Sequence, residues 1–379
     1  MNSGTQRRRG RITSSRDGES KRRLHDGDQL KIALVSTPFL AVPPHNYGGT
    51  ELIIHELAEG LREAGHEVVL FATGDSKTSG ELRSLYETPQ WPPNQLVDLN
   101  HASWAIEQIA REDFDVVHVH SAVAIALGRM MDVPLVYTLH HPPVEEFSEF
   151  YQDFPEVHYV AISQRQKELE TELPCSTVIH HGLDASRFEY ADHAEDYVCF
   201  VGRFSEVKGP HTAIDAAQLA GVPIRVGGEV HWPDQEFARR ELDKRLKLPH
   251  VTELGCIDIT KKVPLLRNAR ALLMPITWEE PFGLIIIEAM LSGCPVISFA
   301  CGSAPELIEQ GVTGYLVKDL HEMAEVIRPG GVLDGFDRKK CREVARRRFG
   351  RDRLIADHLR VYHAAIKDRK SARKAHASV

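Results

Sequence analysis

The feature that most constrains this chain is an alternation of strand, turn and helix that runs through one half and then starts again. KIALVST, from Lys31, is a short β-branched run with polar flanks and reads as a buried strand. A loop rich in proline and glycine follows, PFLAVPPHNYGG. Next comes TELIIHELAEGLREAGH, which sets Leu52, His55, Leu57, Ala58 and Leu61 on one helix face. Thr50 is a candidate N-cap and Gly65 a candidate stop. VVLFAT is the next strand, and strand–helix–strand makes a parallel, right-handed unit. FDVVHVH, PLVYTLHH, HYVAIS and CSTVIHHG extend the series. At Asp196 the pattern begins afresh with DYVCFVGR, a helix from about Pro210 to Leu219, and the strands PIRVGG, HVTELG, ARALLMPI and PVISFA.

The expected fold is therefore α/β, with two doubly wound, Rossmann-like halves facing a cleft. They span residues 31–182 and 196–350, joined by a polar linker at 183–195. Ligands of such sheets sit at the carboxyl ends of the strands. The stretch 351–366 reads as a helix and is a candidate to pack back across the cleft. A length of 379 residues suits two domains of roughly 150–200 each.

Charge and cysteine usage narrow the function classes. Residues 1–30 carry eight Lys and Arg against four Asp and Glu, and 367–379 carry five against one. Within a total of −8 the body between them is thus at −16, a poor surface for nucleic acid. Both ends, 1–30 and 367–379, read as disordered basic tails. The first lacks the apolar core of a secretory signal. No apolar run approaches the roughly 20 residues of a membrane span, so no transmembrane segment is expected. The six cysteines form no CxxC pair and read as reduced thiols of a cytoplasmic protein.

The common phosphate motifs of α/β proteins are missing from their places. There is no GxGxxG after the first strand, no GxxxxGK[ST] and no GxSxG. Two other segments carry chemistry. In VGRFSEVKGP a strand ends at Gly202, and Arg203 and Lys208 flank the turn after it. Cations at a strand's carboxyl end can hold a diphosphate, although the same spacing also occurs in surface ion pairs. In WEEPFGLIIIEAMLSGCPVI, Glu280 precedes Pro281, which reads as the first residue of a helix running through Met290. The Phe282, Gly283 and Leu284 amides would then form an open helix N-terminus suited to anions and hydroxyls. On one helix Glu280 and Glu288 would stand about 12 Å apart, roughly the span from ribose to hexose in a nucleotide sugar. Glu288 lies in an apolar run, where a carboxylate needs a partner. His118 and His120 share one strand face, as packing residues or a polar cleft wall.

These segments, with GSAPELIEQGVTGYLV and the first-half stretches PPHNYGGTE, DVVHVHS, YTLHH and VIHHGLD, resemble the retaining glycosyltransferases of family 4, which have the GT-B fold. The resemblance runs from about Lys31 to Ile366 and implies transfer of a hexose from a nucleoside diphosphate, UDP being commonest, to an acceptor hydroxyl with retention. It implies that Arg203 and Lys208 hold the diphosphate, Glu288 the ribose, and Glu280 with the Phe282–Leu284 amides the sugar. Gly48 and Gly49 would approach the diphosphate from the first half, the backbone near Ile257 would meet the base, and His140 (or its neighbour His141) would contact the sugar. No metal or other cofactor is implied; Asp113-Phe114-Asp115 precedes its strand and does not follow one. Two departures stand out. His181 occupies the hinge position where Asn is usual, and Trp278 stands where a small residue is frequent, narrowing the sugar pocket. The acceptor is expected to be soluble or peripheral, because Glu51, Glu56, Glu59, Glu63 and Glu67 of the first helix would repel an anionic membrane. The rivals are a nucleotide-sugar epimerase on the same fold and a catalytically silent nucleotide-sugar-binding subunit. An epimerase would convert donor without acceptor; intact Glu280, Glu288, Arg203 and Lys208 speak against a silent subunit.

Overall fold

In the computed structural model, which describes residues 29–45 and 48–377, every named strand lies in one of two parallel sheets. The first half contributes β1 (Lys31–Val35), β2 (Glu67–Phe71), β3 (Glu81–Arg83), β4 (Val116–Val119), β5 (Leu135–Leu139), β6 (His158–Ala161) and β7 (Ser176–Val178), in the order β3-β2-β1-β4-β5-β6-β7. The second contributes β8 (Val198–Val201), β9 (Ile224–Gly227), β10 (Val251–Gly255), β11 (Ala271–Met274), β12 (Val296–Phe299) and β13 (Gly314–Val317), in the order β10-β9-β8-β11-β12-β13. Helices cover both faces, which is why the central strands are buried throughout rather than alternating. The strand order reverses between β1 and β4 and between β8 and β11, and these crevices open toward the cleft. Strands β3 and β13 were not anticipated. Each pairs on one side only, and β3, the tripeptide ELR, carries no hydrophobic pattern.

The first helix, Gly49–Glu63, starts one residue before the expected cap, with Gly48 rather than Thr50 as N-cap. Its buried set is Glu51, Ile53, Ile54, Glu56, Leu57, Ala58, Gly60 and Leu61, while Leu52 and His55 are half-buried. The single-face reading fails because the helix is covered twice, by its own sheet and by the C-terminal helix. A Cβ at Gly60 would lie 2.5 Å from Ile355 Cγ1, so the two helices touch there.

That C-terminal helix runs from Arg351 to Ala377. The expected stop at 366 and the disordered tail from 367 are therefore corrected: helix continues through 377, and Arg369 and Arg373 pair with Asp132 of the first half. At the other end, Gln29 and Leu30 belong to the ordered chain, Leu30 being fully buried; the rest of the expected N-terminal tail lies outside the described residues. The linker ties to the C-terminal helix through Leu183, whose amide donates to the Phe349 carbonyl at 2.9 Å and whose carbonyl accepts from the Arg351 amide at 3.0 Å. Glu56, only 1% exposed, binds this junction. It accepts from the Asp184 amide at 3.0 Å and from Arg187 at 3.1 Å, with Arg351 3.6 Å away. Glu51 and Glu56 thus face inward and Glu67 opens β2, so only Glu59 and Glu63 of the five carboxylates expected to repel a membrane stand partly or fully exposed on the first helix.

Candidate active site

Between the halves lies a cavity of about 750 Å³, within the range of small-molecule sites. It brings together every candidate residue from the sequence: Arg203, Lys208, Glu280, Glu288 and His140, with Gly48, Gly49, Ile257, Phe282, Gly283 and Leu284.

The second half supplies three walls, each a loop leaving a strand's carboxyl end. After β8, Arg203 pairs with Asp234 at 3.4 Å, and a 3-10 turn, Glu206–Lys208, brings in the lysine. After β9 and β10, Ile257 packs against Gly227; a Cβ at Gly227 would come 2.7 Å from Ile257 Cδ1. After β11, the loop through Trp278 and Glu280 leads to the helix Leu284–Leu291. The expected helix start at Pro281 is corrected here. Gly283 has φ +81°, which breaks the right-handed path, so Glu280, Pro281 and Phe282 precede the helix and the single-axis spacing of the two glutamates does not apply. Of the expected amides, Leu284 opens the helix, Gly283 is its N-cap, and Phe282 stands one residue before that cap.

The N-terminus of the Leu284 helix meets the N-terminus of the first helix across the cavity. A Cβ at Gly49 would sit 3.2 Å from Leu284 Cδ1, so Gly49 permits this approach. Two helix N-termini converging on one cavity concentrate positive potential there.

Each site carboxylate has a cation. Glu280, 9% exposed, pairs with Lys208 and accepts from the Trp278 indole Nε1 at 2.9 Å. The Lys208 ammonium also lies 4.9 Å from the centroid of the Trp278 ring. Glu288, 2% exposed, accepts from Lys262 Nζ at 2.7 Å. Lys262 was missed by sequence reasoning. It is one of two adjacent lysines in DITKK, and only the observed start of its helix, Ile259–Asn268 with Asp258 as cap, decides which one faces Glu288.

The first half contributes imidazoles. His140, at the end of β5, shares a hydrogen bond through Nε2 with His120 Nδ1 at 2.8 Å and stacks on His181 at 5.8 Å. His141 commits both nitrogens within its own half, to the Pro142 carbonyl and the Tyr151 hydroxyl. Behind His120, His118 binds Thr138 and Tyr362, each at 2.8 Å, and stacks on His358. Burial pushes the His140 pKa down to about 3 and that of His358 to about 4. It drives His118, His120 and His181 well below their ordinary value, and the rings add to one another's depression. The cluster is neutral at physiological pH. Hinge His181 packs edge-on against Phe282 at 4.8 Å and so braces the segment before the Leu284 helix. Among the described residues, no group of three or more His, Cys, Asp or Glu is arranged to hold a metal ion, and no helix is long and apolar enough to cross a membrane.

The halves are clasped beside the site. Glu306 accepts from the Gln164 and Arg165 amides at 2.8 and 3.1 Å and pairs with His180 at 2.8 Å. Arg165 forks onto Glu279, the neighbour of Glu280, at 2.9 and 2.8 Å.

Comparison with known proteins agrees with this architecture. Residues 184–329 match the family model described as Glycosyl transferases group 1, and residues 47–187 match that of Glycosyltransferase Family 4. A glycogen synthase of Mycobacterium tuberculosis is 26% identical over 389 residues, covering 86% of this chain and 91% of its own. A D-inositol 3-phosphate glycosyltransferase of Pseudarthrobacter chlorophenolicus is 26% identical over 399 residues, covering 88% and 94%. Among solved structures, Anabaena HepE in complex with UDP and glucose shares the fold at a TM-score of 0.69 and 20% identity, covering 89% of this chain and 100% of its own.

Proposed function

Because this chain belongs to the group 1 glycosyltransferases, with a family 4 first domain and the GT-B fold, we propose that it moves a hexose from a UDP-hexose donor to an acceptor hydroxyl with retention of configuration, UDP being the leaving group. The observation that carries this reading is the convergence of two helix N-termini, at Gly49 and Leu284, on a cavity flanked by Arg203 and Lys208. Amide dipoles and cations fixed in place stabilise charge that grows on a leaving diphosphate without reorganising, which is how such groups accelerate transfer. Glu288 takes the ribose hydroxyls, with Lys262 holding its carboxylate in position, and Ile257 faces the base. Glu280 and His140 face the sugar; His140, being neutral, offers a hydrogen bond rather than a charge. The diphosphate is answered by protein cations, so turnover needs no divalent metal. The acceptor is a soluble or peripheral hydroxyl compound. All six cysteines are free, which suits a cytoplasmic enzyme.

The test is a thermal-shift screen with UDP, GDP, ADP and their sugars, followed by proton NMR of the product's anomeric centre. UDP at about 100 times its dissociation constant should stabilise by about 2.7 kcal/mol. Stabilisation by GDP or ADP alone removes UDP from the reading, and an inverted product removes retention. Loss of turnover in EDTA, restored by Mg²⁺ or Mn²⁺, removes metal independence.

A further inference from the structure

Trp278 touches both members of the Lys208–Glu280 pair. Its indole Nε1 donates to Glu280 Oε2, the same oxygen that meets the lysine, and its ring lies under the ammonium. The loop that carries it is held fast. The Glu280 amide donates to the Trp278 carbonyl at 2.8 Å, the Cys301 thiol approaches that carbonyl at 3.1 Å, and the Ser303 amide donates to the Glu280 carbonyl at 3.0 Å. Gly302, at φ +56°, lies so close that a Cβ would fall 2.4 Å from the Glu280 nitrogen.

We infer that Trp278 is a positioning residue for transfer: its indole N–H holds the Glu280 carboxylate in place when Lys208 leaves it for the donor's diphosphate. This rests on the function proposed above. The physical need is specific. Glu280 is nearly buried, and removing a cation from a buried carboxylate leaves an expensive unpaired charge that would otherwise turn toward another donor. A second donor on a rigid loop keeps the carboxylate paired and aimed. Meanwhile the electron-rich ring face offers the ammonium a favourable surface beside the carboxylate it leaves. Phenylalanine supplies the ring without the donor, and histidine supplies an N–H on a smaller ring.

The experiment compares the parent with Trp278→Phe and Trp278→His. UDP binding is measured by calorimetry, and UDP-glucose saturation kinetics are read as UDP release to water without acceptor. Loss of one hydrogen bond to a charged group predicts a kcat roughly 10-fold or more lower for Trp278→Phe. Its UDP affinity should fall about 10-fold as well, because UDP carries the diphosphate that draws Lys208 away and so leaves the variant's carboxylate without a partner. Trp278→His should recover part of kcat. A parent that fails to bind UDP sinks the functional reading and this inference with it. A parent that binds and turns over, with Trp278→Phe equal to it in kcat or Trp278→His no better than Trp278→Phe, sinks the inference alone. UDP affinity in Trp278→Phe equal to the parent's also sinks it, since the carboxylate would then need no second donor when Lys208 leaves. If the variants fail to fold, or UDP-glucose is not turned over, the parent labelled with ¹⁵N-tryptophan decides. Its four indole signals are assigned through variants at Trp91, Trp104 and Trp232. The Trp278 N–H should remain hydrogen-bonded in the UDP complex, and its appearance there as a free, fast-exchanging indole overturns the inference.

Discussion

Acid should unfold this protein early, and the histidine cluster sets where. His118, His120, His140, His181 and His358 all have pKa values held below the ordinary 6.5, first by burial and then by neighbouring imidazoles, or at His358 by Arg353. Arg353 adds to this, donating to the His180 and His181 carbonyls at 2.7 and 2.8 Å while paired with Asp357. The unfolded chain takes up protons near pH 6.5 and the folded chain does not. The stabilisation is therefore complete above about pH 7 and is lost as pH falls from 6.5 toward the folded values near 4 and 3. Between pH 6.5 and 5.5 each such ring costs about 1 kcal/mol, so five cost about 5 kcal/mol. Against a typical folding free energy of about 5–15 kcal/mol, that brings acid unfolding to about pH 5. The assay is urea denaturation at pH 7.5, 6.5 and 5.5, followed by fluorescence and by circular dichroism so that coincident transitions justify the analysis. His358→Gln provides the internal control. Its Nδ1 hydrogen-bonds only the Leu354 carbonyl of its own helix and its Nε2 is buried without a hydrogen-bond partner, so the variant should lose one ring's share of the pH dependence, about 1 kcal/mol between pH 6.5 and 5.5. A urea midpoint that stays flat down to pH 5, or a His358→Gln slope equal to the parent's, refutes the reasoning.

Further outcomes follow from the same geometry. Lys262→Met strips the cation from nearly buried Glu288 and should raise the donor KM about 10- to 100-fold with a smaller effect on kcat; saturation kinetics check this, and an unchanged KM removes Glu288 from the ribose. Arg203→Ala and Lys208→Ala should each lower kcat about 10²–10³-fold, since they act where charge develops; rates equal to the parent's exclude them from the diphosphate. Gly302→Ala forces a Cβ onto the Glu280 backbone at a positive φ and should lower the melting temperature by several degrees, with activity falling alongside; an unshifted melt shows that the loop gives way.

Parts of this site can be read from the chain because of where they stand. Arg203 and Ile257 stand just past β8 and β10, and Lys208 ends the turn in the loop after β8; in a parallel sheet the loop leaving a strand's carboxyl end faces the ligand side wherever the helices go. Glu288 is conspicuous as an acid in IIIEAM. The alternating apolar runs likewise announce the central strands, whereas the edges β3 and β13, half-paired, carry little of that signal. The pairings are another matter. Lys208 meets Glu280 across 72 residues and Lys262 meets Glu288 across 26, and no local pattern encodes either. The first helix misleads for a related reason. Glu56 sits where a lone amphipathic helix would show water, but the C-terminal helix arrives from some 300 residues away and brings Arg351 to it, while Glu51 turns to the Thr37 hydroxyl and the cleft. These hidden pairings also change what the legible residues do. A sequence reading treats Arg203 and Lys208 as cations waiting for phosphate, and Glu280 and Glu288 as acceptors waiting for hydroxyls. In the fold, each of these charges already has a partner: Arg203 with Asp234, Lys208 with Glu280 and Lys262 with Glu288. A diphosphate must therefore compete with Glu280 for Lys208. Its affinity is the difference between two charge-assisted contacts rather than the whole of one. Neutralising Glu280 should thus tighten UDP binding even as it slows transfer, an opposition that a site of independent residues would not produce.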